Sequence, residues 1–213
     1  MKFKADRTAV PYSYLIDNIK VLLIFLVVFN HIIAFNLVKV DMVVRYIWYG
    51  ITIFHMPAFV FISGYLSKKP QNVLKNVKNL LIPYILGYSL TWYSQIWLGR
   101  TVDYEILRPT GTVMWYVLAL FAYRLTIEAM GKIRFIVLLS IIFALWAGTR
   151  PEFTTFLSAS RIVVFFPFFA AGYLWKSEYI TAVRKFKGKW VLVPISAVLL
   201  WAIPNYMITN GMG

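Results

Sequence analysis

Two imidazoles, His31 and His55, carry most of the chemistry this chain can do. There is no Cys, which excludes disulfides, thiolate nucleophiles, Cys-ligated zinc and iron–sulfur clusters, and two imidazoles cannot build a three-His metal site. No Walker A loop, GxGxxG, HExxH, GxSxG or EF-hand pattern occurs. The His-x4-Asp arrangement is absent as well, because Asn36 stands five residues after His31. What remains is acid–base work. A neutral imidazole in a low-dielectric setting can take the proton of a hydroxyl.

The segments that must position these groups are read from composition. Of 213 residues, 61% are hydrophobic and 14% charged, against roughly a quarter charged in an average soluble domain. Most of the chain therefore has lipid as its solvent. Seven apolar runs, at 15–38, 46–67, 80–98, 113–130, 133–149, 161–175 and 190–208, approach the length a spanning helix needs. The expected fold is all-α: a polytopic membrane bundle of about seven transmembrane helices forming a single domain over residues 1–213. No small-x-small cleavage site closes the first run, so it reads as a retained helix and not a signal peptide.

Net charge is +14, which by itself resembles a nucleic-acid binder. Its distribution argues otherwise. The N-terminal head and the even-numbered loops hold fifteen Lys and Arg residues, among them Lys68, Lys69, Lys75 and Lys78, and the odd-numbered loops hold six. That asymmetry predicts a cytoplasmic N-terminus, with the basic excess facing anionic headgroups and no nucleic-acid partner.

Ionisable groups inside the spans follow from this frame. Asp17, Lys20 and His31 fall within about 60° of one another on a helical wheel, a polar stripe on an aliphatic helix. His31 lies roughly 16 Å beyond Lys20 along the axis. The structural alternative is an Asp that caps the helix start, a Lys that snorkels and a His that bonds a neighbouring helix. In the second run, Pro57 releases the carbonyl four residues earlier, and His55 either satisfies that kinked backbone or meets His31 at matching depth to line one cavity. Ser63-Gly64 reads as a small-residue packing point as readily as a cavity wall. Trp115 and Tyr116 fit an interfacial belt. Arg124 and Glu128, at i and i+4, are placed to neutralise each other. Arg161 stands at the outer mouth of the sixth run, as an anchor or as a contact for an anionic or sugar substrate. The run Phe165 to Phe169 around Pro167 reads as packing.

The order of these residues resembles a known family. Ile16-Asp17-Asn18-Ile19-Lys20 followed by an aliphatic run to His31 is similar to the first helix of the membrane acyltransferase-3 family, and the fucose-4-O-acetylase-like branch is the nearest in pattern. Phe54-His55-Met56-Pro57 with Phe61-Ile62-Ser63-Gly64-Tyr65 resembles that family's second-helix motif. Trp115 to Leu120, and Ser160-Arg161 through Phe166-Pro167-Phe168-Phe169 to Gly172-Tyr173, resemble later landmarks.

The resemblance implies transfer of an acetyl group from cytoplasmic acetyl-CoA, used as a substrate with no bound cofactor and no metal, to a sugar hydroxyl of a surface polysaccharide or lipid-linked glycan. The setting it implies is the bacterial cytoplasmic membrane. His31 matches the family's essential histidine. Asp17 and Lys20 then shape the donor mouth, while His55, Ser63, Trp115 and Arg161 line the acceptor side. Where the better-known branch has Arg, this chain has Lys20, which lacks a bidentate guanidinium fork. Family members continue beyond a seventh helix, so the resemblance also implies a chain shorter than its relatives. The competing readings are a transporter or flippase component for polysaccharide precursors, with proton-relaying histidines, and an inactive remnant.

Overall fold

In the computed structural model, residues 14–36, 41–69, 72–99, 114–149 and 159–185 are described, together with 198, 202, 203, 205, 206 and 209. Among the described residues the structure is all-helical. Helix α1 spans Tyr14–Asn36 and α2 Met42–Leu66. Then come the short α3 (Val73–Asn76), a π-helical stretch (Val77–Leu81) and α4 (Ile82–Trp97), without interruption. After these follow α5 (Trp115–Met130), α6 (Ile136–Gly148), α7 (Ala159–Leu174) and α8 (Ser177–Lys185).

Local chemistry sets the ends of these helices. The second run was expected to start near Tyr46, yet α2 starts at Met42, because Asp41 Oδ1 accepts from the Val43 amide at 2.7 Å and the Val44 amide at 3.2 Å. That carboxylate satisfies two otherwise orphaned amides and complements the helix dipole. Asn72 caps α3 in the same way, accepting from the Lys75 amide at 3.1 Å. Gly99, at φ +67°, closes α4 in the left-handed region where glycine has no Cβ penalty. Phe135 takes φ +62° at the entry to α6.

Two helices are long and apolar enough to cross a bilayer, over Tyr14–Ala34 and Met42–Leu66. The helices α5 to α7 have 13 to 16 residues, or about 20–24 Å of rise, short of the roughly 30 Å hydrocarbon core, whereas α4 continues α3 and the π-helical stretch as one helical segment over 73–97. Among the described residues the structure thus gives the all-helical class, with two helices of clear membrane-spanning length. The seventh run, 190–208, lies largely outside the described residues. The short helix α8 occupies what the charge count treated as a loop.

The chain divides into two compact units, one formed by residues 63–174 and the other by the preceding helices with the residues from 175 onward. In the first, α6 and α5 both pack on α7. Small residues let the backbones approach: Ala119 and Ala170 are fully buried, and a Cβ on Gly64 would meet the backbone carbonyl of Phe169. Tyr123 fills the space between, its ring 4.9 Å from Phe169 and 5.5 Å from Phe166. Its hydroxyl donates to the Ile162 carbonyl at 2.5 Å. The Phe165–Phe169 run is therefore packing. In the other unit, Trp175 packs edge-on against Phe61 at 5.4 Å, and the Tyr46 hydroxyl donates to Asn205 Oδ1 at 2.8 Å.

Candidate functional site

The candidate residues fall into two sets, one in each unit. The first is on α1 and the part of α2 before Ser63. Asp17 lies within the first turn of α1, three residues after Tyr14. Its carboxylate pairs with Lys20 at 2.6 Å, both side chains being nearly two-fifths exposed. An exposed i,i+3 pair of this kind is worth at most about 1 kcal/mol.

His31 is half-buried on α1, and His55 is 3% exposed on α2. The two imidazoles lie in the same compact unit. His55 Nδ1 donates to the Ile51 carbonyl at 2.6 Å. Ile51 is four residues before His55, not four before Pro57, so the ring does not serve the carbonyl that the proline releases. The bond has a chemical consequence. A carbonyl only accepts, so Nδ1 carries the proton, and in the neutral ring Nε2 holds the basic lone pair.

The surroundings of this pair are polar in a way the sequence did not single out. Asn30, 6% exposed, has its Oδ1 3.3 Å from the Thr52 hydroxyl, which also donates to the Trp48 carbonyl at 2.7 Å. Trp48, Thr52 and His55 share one face of α2, at i, i+4 and i+7. Trp48 Nε1 is buried and, among the described residues, has no hydrogen-bond partner. An interfacial-belt reading of such a Trp hides this unspent donor.

The second set joins the end of α2 to α5 and α7. Ser63 Oγ and the Tyr116 hydroxyl are 2.5 Å apart. The Ser67 hydroxyl donates to the Ser63 carbonyl at 2.7 Å and accepts from Arg124 Nε at 3.3 Å. Arg124 was paired in the sequence with Glu128 on its own helix, but this hydrogen bond goes across to Ser67. Lys68 is 7% exposed, with its ammonium 4.5 Å from the centroid of the buried Tyr65 ring. It does not snorkel.

Trp115 also departs from the belt expectation. It is 8% exposed and packs 5.3 Å from Phe165, while the exposed Arg161 guanidinium lies 5.8 Å from its ring centroid. The structure therefore brings Trp115 and Arg161 together, Ser63 to Tyr116 and Asp17 to Lys20, and holds His31 and His55 in one unit.

Helical throughout its described residues, with two long apolar helices and with His55 and Lys68 buried, the chain has the character of a helical membrane protein. The family model for the acyltransferase-3 domain, described as an acyltransferase domain, matches residues 13–212, and the chain belongs to that family. It is a membrane acyltransferase. No match was found among curated proteins or among solved structures.

Proposed function

We propose that the chain is an O-acetyltransferase of the fucose-4-O-acetylase-like branch, multi-pass in the bacterial cytoplasmic membrane with its N-terminus inside. In this reading it moves acetyl from cytoplasmic acetyl-CoA to a sugar hydroxyl of a surface polysaccharide or lipid-linked glycan. The observation that carries this reading is that His31 and His55 lie in one unit with the Asn30–Thr52 contact and the unspent Trp48 N–H. A sugar hydroxyl needs a base for its proton and donors for its neighbouring oxygens, and these groups supply both.

His31 takes the acceptor hydroxyl's proton as that oxygen attacks the thioester carbonyl. A C–O bond forms, the tetrahedral adduct collapses, the C–S bond breaks, and the imidazolium returns its proton to the departing sulfur. Asp17 and Lys20 stand toward the donor end of the same helix. Arg161 and Trp115 supply a guanidinium over an aromatic face, which suits a sugar ring or its anionic substituent.

A second reading exchanges the histidines, because the backbone bond fixes Nε2 of His55 as its basic nitrogen. Transfer from labelled acetyl-CoA by the full chain in membranes separates them. The first reading requires His31→Ala to lose at least a hundredfold in transfer, as removal of a general base does, with His55→Ala losing less. The reverse order installs His55 as the base. Full turnover by both well-inserted variants overturns the acyltransferase mechanism, and proton-coupled movement of a glycan carrier without acetyl transfer would replace it with transport.

A further inference from the structure

Among the described residues, buried side-chain nitrogens and oxygens find partners with one exception, the indole Nε1 of Trp48. His55 Nδ1 donates to the Ile51 carbonyl, the Tyr123 hydroxyl to the Ile162 carbonyl and the Ser140 hydroxyl to the Val137 carbonyl. A buried donor left unpaired costs about 1–3 kcal/mol. In a fold that satisfies its other buried groups, such an exception calls for a reason.

Membership of an interfacial belt is not that reason. A belt Trp turns its N–H to water or headgroups, and Trp97 on α4, 87% exposed, fits that description. Trp48 is half-buried and its N–H is buried. Tyr49, 5% exposed, packs edge-on against the indole at 4.8 Å and restrains it. The neighbours on its own face of α2 are committed elsewhere. Thr52, one turn on, spends its single proton on the Trp48 carbonyl at 2.7 Å. Asn30 of α1, 6% exposed, meets Thr52 through Oδ1 at 3.3 Å, a contact that does not engage its amide N–H donors. The open requirement here is for acceptor oxygens. His55 lies on the same face about 10 Å further along the axis.

We infer that Trp48 is a specificity-determining residue for the acceptor, its N–H donating to an oxygen of an uncharged sugar. A hydroxyl or ring oxygen supplies the missing lone pair, and the indole adds an apolar face for the ring's C–H groups. The indole, Thr52 and Asn30 are all neutral, and neutral groups do not offset the cost of burying an anion. The inference rests on the acyltransferase reading for the sugar's fate, and the test separates the two.

The test uses proton–nitrogen correlation spectra of the isotope-labelled full chain in phosphatidylcholine nanodiscs. The probes are the methyl glycosides of fucose, galactose and glucose, with methyl glucuronide as the charged counterpart. Trp48→Phe assigns the Trp48 indole resonance among the chain's 8 Trp, and Trp48→His assigns it if the Phe variant does not fold. At least one neutral glycoside should move that resonance downfield. Trp48→Phe should weaken binding of that glycoside about three- to tenfold, while Trp97→Phe should change it less than twofold. With labelled acetyl-CoA, Trp48→Phe should raise KM for the glycoside by a similar factor and leave kcat within twofold. If no neutral glycoside moves the resonance, the inference is overturned, and acetyl transfer to one of them by the same preparation would show the acyltransferase reading standing without it. Movement with no acetyl transfer to any of the three supports the sugar site and counts against the acyltransferase reading. A tighter response to methyl glucuronide overturns the assignment to an uncharged sugar. Rapid exchange of the Trp48 proton with water, unchanged by every glycoside, overturns it in favour of a bound water.

Discussion

Helices α1 and α7 are both apolar around most of their circumference, yet they meet their surroundings differently. On α1, Val21, Leu22, Ile24, Phe25, Val28 and Ile32 are each more than half exposed, and among the side chains described on this helix only Leu23, Asn30 and Ile33 are buried. On α7, Phe166, Pro167, Phe169, Ala170, Gly172 and Tyr173 are all buried. The distinguishing feature is small residues. The buried small residues Ala170 and Gly172 on α7 and Ala119 on α5, and Gly64 on α2 against the Phe169 backbone, let neighbours come close enough for dispersion contacts. Helix α1 offers bulky aliphatics instead, which suit lipid chains. Hydrophobicity alone does not tell a helix that packs from a helix that is solvated by hydrocarbon.

The sharpest way to break the comparison is Gly64→Val. Its added side chain meets a backbone carbonyl that cannot swing aside, so detergent extraction should yield little monodisperse protein. Gly50→Ala, where nothing lies within 4 Å of an added Cβ, should yield as much as the parent, with helix propensity improved by about 1 kcal/mol. Equal yields from the two would mean that the α2–α7 approach is not tight.

Phe169→Ala comes next. It should cost about 3–5 kcal/mol by opening a cavity around Tyr123, read as a lowered melting temperature in a detergent-stable preparation. Tyr123→Phe should cost about 1–3 kcal/mol, because the Ile162 carbonyl loses a buried donor. Leu22→Ala on the exposed face of α1 should stay within about 0.5 kcal/mol. A Leu22→Ala loss as large as that of Phe169→Ala would show α1 to be packed and erase the contrast.

Much of the helical layout was legible in the sequence, since apolar runs bounded by Gly99 and Gly131 carry their own punctuation, whereas the Asp41 cap that starts α2 four residues early was not. Span length was less so. A run of apolar residues reports solvent, not where hydrogen bonding stops, and α6 ends at Gly148 after 13 residues. His31 and His55 stood out because ionisable groups in hydrocarbon are rare. Tyr116, Trp48 and Trp115 did not, because an aromatic with one polar atom looks the same in a membrane belt and in a buried contact. Lys68 was legible as a loop charge of the asymmetry rule or, with Lys69, as a cation that could attract the donor's phosphates, but its burial is visible only in the structure. The Nδ1 bond of His55 depends on the path of the backbone, which no residue type announces.

The π-helical stretch Val77–Leu81 has one further consequence, and it concerns insertions and deletions. A single π turn is how a helix absorbs one extra residue without breaking. Removing one residue from this stretch would restore plain α-helical register and rotate everything before it by about 100° relative to α4. Asn76 and the face of α3 that lies on α5 would then turn away from that helix, while α4 itself kept its register. A one-codon deletion here would leave a seamless helix and take the packed face of α3 off α5, so a very small change of length would undo the packing at this end of α5.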